Sequence, residues 1–126
     1  MKSFCNEIIK YFEAYSSEDK IIALTLRDIF LNDLIYVSYT NKWQQYDMKE
    51  KEWSHFDINK LVQKLDRVSS FYEYDLIPYV ENESNLEKID KFYILKQIHQ
   101  VIHYMNDRLN TKQFEKKCQE YFKISS

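Results

Sequence analysis

No glycine occurs among the 126 residues of this chain, whereas average usage near 7% predicts about nine. Glycine is the residue that accepts positive φ angles and lets a backbone approach a ligand closely. Its absence excludes glycine-rich phosphate loops, the dinucleotide-binding fingerprint and the GxSxG nucleophile motif. It also excludes an ordinary EF-hand loop, which needs glycine for its sharp turn. We therefore expect the protein to act through its surface, without a phosphate-binding or nucleotide-binding cleft.

The composition is that of one globular domain. Hydrophobic residues make up 44% of the chain, aromatic residues 17%, and the net charge is −2. Such a chain can bury a core, and it lacks the basic excess with which proteins bind nucleic acid. The sequence shows neither a signal peptide nor an apolar stretch that could span a bilayer, so we expect a cytoplasmic protein with no membrane partner. In that compartment Cys5 and Cys118 are expected to be buried free thiols, and a disulfide that joins the terminal helices is the alternative.

Hydrophobic periodicity predicts an all-α fold, a compact irregular bundle of five to six helices that forms a single domain over residues 1–126. Period-2 alternation and two-residue hairpin turns such as Asn-Gly are absent, which argues against strands. The predicted helices cover residues 3–15, 18–38, 58–76, 85–109 and the segment from Thr111 onward. Residues 40–56 carry no clear pattern, and Asn41 is a candidate cap for a short helix there.

Capping residues predict where several of these helices begin and end. Asp57 is expected to cap the helix over residues 58–76, which must stop before Pro78 because proline disfavours helical geometry in the preceding residue. Ser84 and Glu87 form a capping-box pattern at the start of the following helix. Asn110 is expected to end that helix in the left-handed conformation, in the place where glycine is usual.

Two histidines suggest one possible catalytic site. His99 and His103 lie four residues apart on one helical face, and Asp107 follows one turn later, so the three side chains could bind zinc. The pattern is similar to HExxH, but Gln100 replaces the glutamate that acts as the general base, which excludes a peptidase of that type. The alternative interpretation is a solvated polar face, and we therefore predict no metal site.

Another spacing suggests a different metal site. Glu52 and His55 match the ExxH spacing of di-iron helical bundles. Such sites need two of these motifs and two further glutamates on facing helices, and this chain has one motif. The expected interpretation is a chance pair. No cofactor is predicted.

The most distinctive surface feature is an acidic segment. Residues 66–90 carry seven acidic and two basic residues, a net charge of −5. Aromatic residues occur among these acids, at a predicted helix end and loop, and Tyr74 falls on the side of the helix opposite the core. Aromatic anchors with surrounding carboxylates are typical of a surface that binds a basic protein. The predicted contact residues are Phe71, Tyr74, Asp75, Tyr79, Glu81 and Glu83. The alternative interpretation is a solvated acidic surface with an incidental tyrosine.

The small, acidic, aromatic-rich helical character resembles bacterial toxin-immunity proteins of contact-dependent inhibition and colicin systems. The resemblance covers the general character of the whole chain, not a motif. Asp33-Leu34-Ile35-Tyr36 is similar to the tyrosine-bearing segment of colicin DNase immunity proteins, but the second tyrosine and the following proline are missing. The resemblance implies a protein that binds a cognate toxin, often a basic nuclease, and blocks its active site.

Two other functions remain open from the sequence. One is a phage or accessory protein that inhibits or scaffolds a host complex through the same kind of surface. The other is a metal-dependent helical enzyme that uses His99, His103 and Asp107. The leading hypothesis is the non-enzymatic inhibitor. The acidic, tyrosine-containing surface would cover the cleft of a basic nuclease domain.

Overall fold

The chain combines helices with a small β-sheet, so the all-α prediction is wrong. The computed structural model describes residues 2–30 and 33–124; helix accounts for 68% of it and strand for 12%, which makes the fold mixed α/β. The helices are α1 (Lys2–Ala14), α2 (Glu18–Ile29), α3 (Leu61–Phe71), α4 (Ile77–Asn82), α5 (Lys88–Asp107) and α6 (Thr111–Phe122). The strands are β1 (Leu34–Val37), β2 (Lys42–Asp47), β3 (Glu52–His55) and β4 (Lys123–Ile124).

The sheet occupies the region that was predicted to hold the end of one helix and a short second helix. Its strand order is β3-β2-β1-β4, with antiparallel pairing among the first three strands and a short parallel pairing of β4 with β1. The predicted helix over residues 18–38 therefore ends at Ile29, and residues 34–37 form a strand. Residues 31 and 32 lie outside the part of the chain that the structure describes.

Two four-residue loops replace the glycine-containing turns that a hairpin usually needs. Residues 38–41 join β1 to β2, and residues 48–51 join β2 to β3. The last residue of each loop adopts the left-handed conformation, with φ of 56° at Asn41 and 54° at Lys51. Loops of this length need few left-handed residues, whereas the two-residue type I′ turn needs two in succession. Hairpins therefore form here without glycine.

Helix α2 lies at the centre of the molecule, as its apolar residues on nearly all sides predict. Its six consecutive residues from Ile21 to Leu26 are all buried, and it contacts α1, α3, α5 and α6. The sheet joins this core through Trp43, whose ring lies 5.2 Å from Tyr36 and 5.6 Å from Phe122 of α6. Cys5 and Cys118 are both buried free thiols.

The helix that was expected to stop before Pro78 continues to Asn82. A π-helical turn over Tyr72–Leu76 joins α3 directly to α4. In a regular α-helix Pro78 would leave the carbonyl of Tyr74 without its donor and would collide with it. The wider turn avoids this arrangement, since the Ile77 amide bonds the carbonyl of Tyr72, five residues back.

Two of the predicted helix termini are also wrong. The Ser84 hydroxyl donates to the carbonyl of Val80 at 2.8 Å, so it closes the end of α4 and does not cap α5. Helix α5 begins after Glu87, which makes no side-chain capping bond. Asn110 is extended, with φ of −91°, and accepts a hydrogen bond from the Gln113 amide at 3.1 Å, so it caps the start of α6. No helix in the described residues is long and apolar enough to cross a membrane.

Candidate functional site

The six predicted contact residues divide into an exposed group and a buried group. Tyr74 is 74% exposed, and its carboxylate neighbours on the same segment are exposed as well, namely Asp75, Glu81 and Glu83. By contrast, Phe71 is 7% exposed and Tyr79 is 8% exposed. The two buried rings have little accessible surface, whereas most of Tyr74 is accessible.

Tyr74 stands beside an open groove of about 420 Å³. The apolar part of its lining comes from Phe4 of α1, Ile29 of α2 and Phe71 of α3. The rings of Phe4 and Phe71 meet edge to face with their centroids 5.1 Å apart, which is a favourable arrangement for two aromatic rings. Phe71 therefore lines the groove next to the exposed Tyr74.

The polar lining of the groove carries charges of both signs. The polar residues that line the groove are Asp28, Arg67, Ser70 and Asp75. The Arg67 guanidinium lies 5.3 Å from the centre of the Phe30 ring, within the range of a cation–π contact. Asp75 is exposed and makes no side-chain hydrogen bond or ion pair among the described residues.

Asp28 is held by neighbours within the protein. It accepts a hydrogen bond from the Tyr11 hydroxyl at 2.5 Å and one from Arg27 Nε at 3.2 Å. Arg27 Nη2 also donates to the Tyr11 hydroxyl oxygen at 3.1 Å. Burial, followed by the bond to the Asp28 carboxylate, raises the pKa of Tyr11 to about 12. This three-residue network fixes one wall of the groove and leaves Asp28 less available to a partner than Asp75.

Tyr79 joins two helices. Its hydroxyl donates to Asn6 Oδ1 at 2.7 Å, which ties α4 to α1. The nearby Cys5 thiol has its pKa raised, first by burial and then by the negative charges of Asp75 and Glu83. Asp75 and Glu83 thus both act electrostatically on the same group near the start of α1.

A row of exposed apolar side chains on α5 was missed by the sequence analysis. Ile89, Phe92 and Tyr93 are all largely exposed, and the rings of Phe92 and Tyr93 lie 6.0 Å apart. Lys91 Nζ lies 3.5 Å from the carbonyl oxygen of Glu81, so this part of α5 adjoins the acidic end of α4. The signal was available, because residues at i, i+3 and i+4 share one helical face. That face lies opposite the buried Ile94 and Ile98, which belong to the apolar stripe that predicts the core.

The histidine pair does not form a metal site in the described residues. His103 Nδ1 lies 2.9 Å from Asp107 Oδ2, and both side chains are more than half exposed. Such an exposed i, i+4 pair contributes little stability. Within residues 2–30 and 33–124, no three His, Cys, Asp or Glu side chains are grouped so that they could hold a metal ion. Glu52 and His55 lie three residues apart on strand β3, so their side chains leave opposite faces of the sheet.

The arrangement that remains is an exposed surface that combines aromatic, apolar and acidic side chains. It consists of exposed Tyr74 beside an apolar groove, exposed carboxylates on the same segment, and the exposed row on α5. No protein-family model matches this sequence, and comparison with curated proteins and with solved structures finds no significant match.

Proposed function

We propose that this protein is a stoichiometric inhibitor of the toxin-immunity type, which acts by binding and not by catalysis. Its partner would be a basic protein, such as a nuclease toxin domain, and its place of action the cytoplasm. The proposal rests on surface chemistry. The acidic segment attracts a positively charged partner, and an aromatic side chain beside a groove provides the contact energy.

The observation that carries the proposal is the position of Tyr74. Its ring is 74% exposed although it belongs to a helix whose neighbours Tyr72 and Leu76 are fully buried. It lies on the π-helical turn, and such turns occur often at functional sites. A tyrosine held on a rigid helix offers a large amphipathic contact area with little conformational entropy to lose.

Two of the six predicted contact residues are buried, so the proposed contact residues differ from those predicted from the sequence. Phe71 lines the groove and Tyr79 supports α4 through Asn6, so neither acts as a projecting anchor. We propose that Tyr74 is the central anchor and that Asp75, Glu81 and Glu83 steer the partner. The α5 row adjoins these acids and would extend the contact area at the same end.

The proposal is tested with the product of a neighbouring toxin-like gene as the candidate partner. We expect Tyr74→Ala to weaken binding by at least about 30-fold, because loss of a central aromatic anchor costs about 2 kcal/mol or more. The matched control is Tyr39→Ala, since Tyr39 is 70% exposed but lies in the β1–β2 loop. The control should bind as the wild type does.

The acids are tested separately by kinetics. Glu81→Lys combined with Glu83→Lys should slow association and reduce its dependence on salt, with a smaller effect on dissociation. Each variant is first checked for a native circular dichroism spectrum and melting temperature. The proposed surface is wrong if folded Tyr74→Ala and the double variant both bind the partner, and protect cells from it, as well as the wild type does.

A further inference from the structure

Strand β3 is an open edge of the sheet. Its residues Glu52–His55 pair with β2 on one side, and no described residue pairs with the other side. All four residues are exposed. Trp53 is 42% exposed, and its ring lies 5.3 Å from that of Tyr46 on the same face of the sheet. An open edge presents unpaired backbone donors and acceptors that can bind another strand.

Two hydrogen bonds next to the strand show which backbone groups of β3 face outward. The Phe56 amide donates to the carbonyl of Trp43 at 3.0 Å, so Trp43 faces β3. The Tyr46 amide donates to the carbonyl of Asp33 at 2.8 Å, so Tyr46 faces the β1 side. These directions alternate along an antiparallel pair. Glu52 and Ser54 therefore bond to β2, and the amides and carbonyls of Trp53 and His55 face the open edge.

We propose that two copies of this chain associate by antiparallel pairing of their β3 strands, with a two-fold axis at Ser54. In this register Trp53 of each copy lies opposite the partner's His55. Each of these two opposed pairs exchanges two backbone hydrogen bonds, so the interface contains four. The two sheets then become one continuous sheet. The proposal rests on the hairpin alone and is independent of the proposed function.

The side chains around the axis are compatible with a second copy. Lys51 and Asp57 flank β3 at its two ends, so Lys51 of each copy lies on the side of the partner's Asp57, which brings opposite charges near each other at both ends of the junction. Glu52 comes opposite the partner's Phe56, and no position from 51 to 57 faces a like charge. On the outer face each Trp53 lies beside the partner's His55, which extends the contact between Trp53 and Tyr46. The edge is thus complementary to itself.

The neighbouring registers fit less well. An axis at Trp53 places Lys51 opposite the partner's His55, so Trp53 is then the only outward-facing residue of β3 that meets an outward-facing β3 residue of the partner. An axis at His55 moves the partner's strand past the end of β3 onto Asp57, which caps the following 3-10 turn by accepting the Asn59 amide at 3.0 Å. Only the axis at Ser54 pairs the two outward-facing residues of one copy with those of the other.

Disulfide crosslinking tests the register. At the axis the two Ser54 residues form a non-hydrogen-bonded pair with Cα atoms about 4.5 Å apart, a separation that a disulfide can span. Ser54→Cys should therefore form a covalent dimer quickly in oxidised glutathione. Glu50→Cys is the control, because it is exposed in the β2–β3 loop and lies far from its symmetry mate in this arrangement. The native cysteines are buried and should not react.

Sedimentation velocity tests the backbone contacts without a new cysteine. His55→Pro removes an outward-facing amide while leaving the β2 bonds intact, and His55→Ala changes the side chain but keeps that amide. The wild type and His55→Ala should show concentration-dependent dimers, and His55→Pro should dimerise at least tenfold more weakly. The proposal is overturned if the wild type stays monomeric at all concentrations and Ser54→Cys crosslinks no faster than Glu50→Cys. Equal dimerisation of folded His55→Pro and His55→Ala would also overturn it.

Discussion

A buried pair of hydroxyl groups allows a quantitative test of the core. Thr25 and Tyr72 are both fully buried, and their hydroxyl oxygens lie 2.7 Å apart. Thr25 donates its single hydroxyl proton to the carbonyl of Ile21 at 2.9 Å. Tyr72 must therefore be the donor in the bond between the two hydroxyls. The two residues consequently have unequal roles, and their removal should have unequal costs.

Replacement of Thr25 by valine should be the more damaging change. It leaves the Tyr72 hydroxyl buried with no other acceptor in the described residues, which costs about 2 kcal/mol. Valine has a similar shape and a similar helix propensity, so other contributions are small. Replacement of Tyr72 by phenylalanine should cost about 1 kcal/mol, because Thr25 keeps its bond to Ile21. The double variant should cost no more than Tyr72→Phe, since neither hydroxyl remains.

The measurement is a double-mutant cycle from urea unfolding, followed by circular dichroism and tryptophan fluorescence. Tyr74→Phe is the matched control, because it removes an exposed hydroxyl and should change stability by less than about 0.5 kcal/mol. The expected coupling between the two sites is about 2 kcal/mol, well above the error for independent residues. Additive effects, or a larger loss for Tyr72→Phe than for Thr25→Val, would refute the assignment of the donor.

Two further predictions concern pH and backbone conformation. Burial raises the pKa values of Tyr72 and Tyr104 above the ordinary value of 10, and burial with the Asp28 hydrogen bond raises that of Tyr11 to about 12. The folded protein therefore favours the neutral phenols. The contribution of these three tyrosines to the free energy of unfolding should be constant below about pH 9 and fall as pH rises through 10 toward 12. A free energy of unfolding that does not change between pH 9 and pH 11 would contradict this. Lys51→Gly should raise the free energy of unfolding in urea by about 0.5 kcal/mol or more, because glycine adopts the left-handed conformation at φ of 54° without strain. Glu50→Gly in the same loop is the control and should not stabilise the protein. Equal effects of the two changes would show that strain at position 51 is absent.

The helical period predicted two features correctly. The central place of α2 follows from its apolar residues on nearly all sides, and the outward direction of Tyr74 follows from its angle on the helix. The sheet could not be found in this way, because the search relied on glycine-containing turns. The actual loops use one left-handed residue each, Asn41 and Lys51, and nothing in the local sequence identifies a lysine as left-handed.

The exposure of the proposed contact residues could be predicted only in part, because burial depends on neighbours that are distant in the chain. Phe71 is buried by Phe4, and Tyr79 is bonded to Asn6. Both partners belong to α1, about 70 residues earlier, and the angle of a side chain on its own helix does not reveal them. The exposed row on α5 is hidden in the sequence for a different reason, because the same helix carries a longer apolar stripe that forms the core.

The π-helical turn has a consequence for how the long helix packs. Helix α3 contacts α2, whereas α4 contacts α5, although the two are one continuous stretch of backbone. A π turn holds one residue more than an α turn, and each residue of an α-helix corresponds to a rotation of about 100°. The extra residue therefore rotates the side chains of α4 about the helix axis, so that α4 presents a different face from the one a regular helix would present. The number of residues between Leu61 and Asn82 therefore determines which side chains of α4 are buried, as firmly as their identities do.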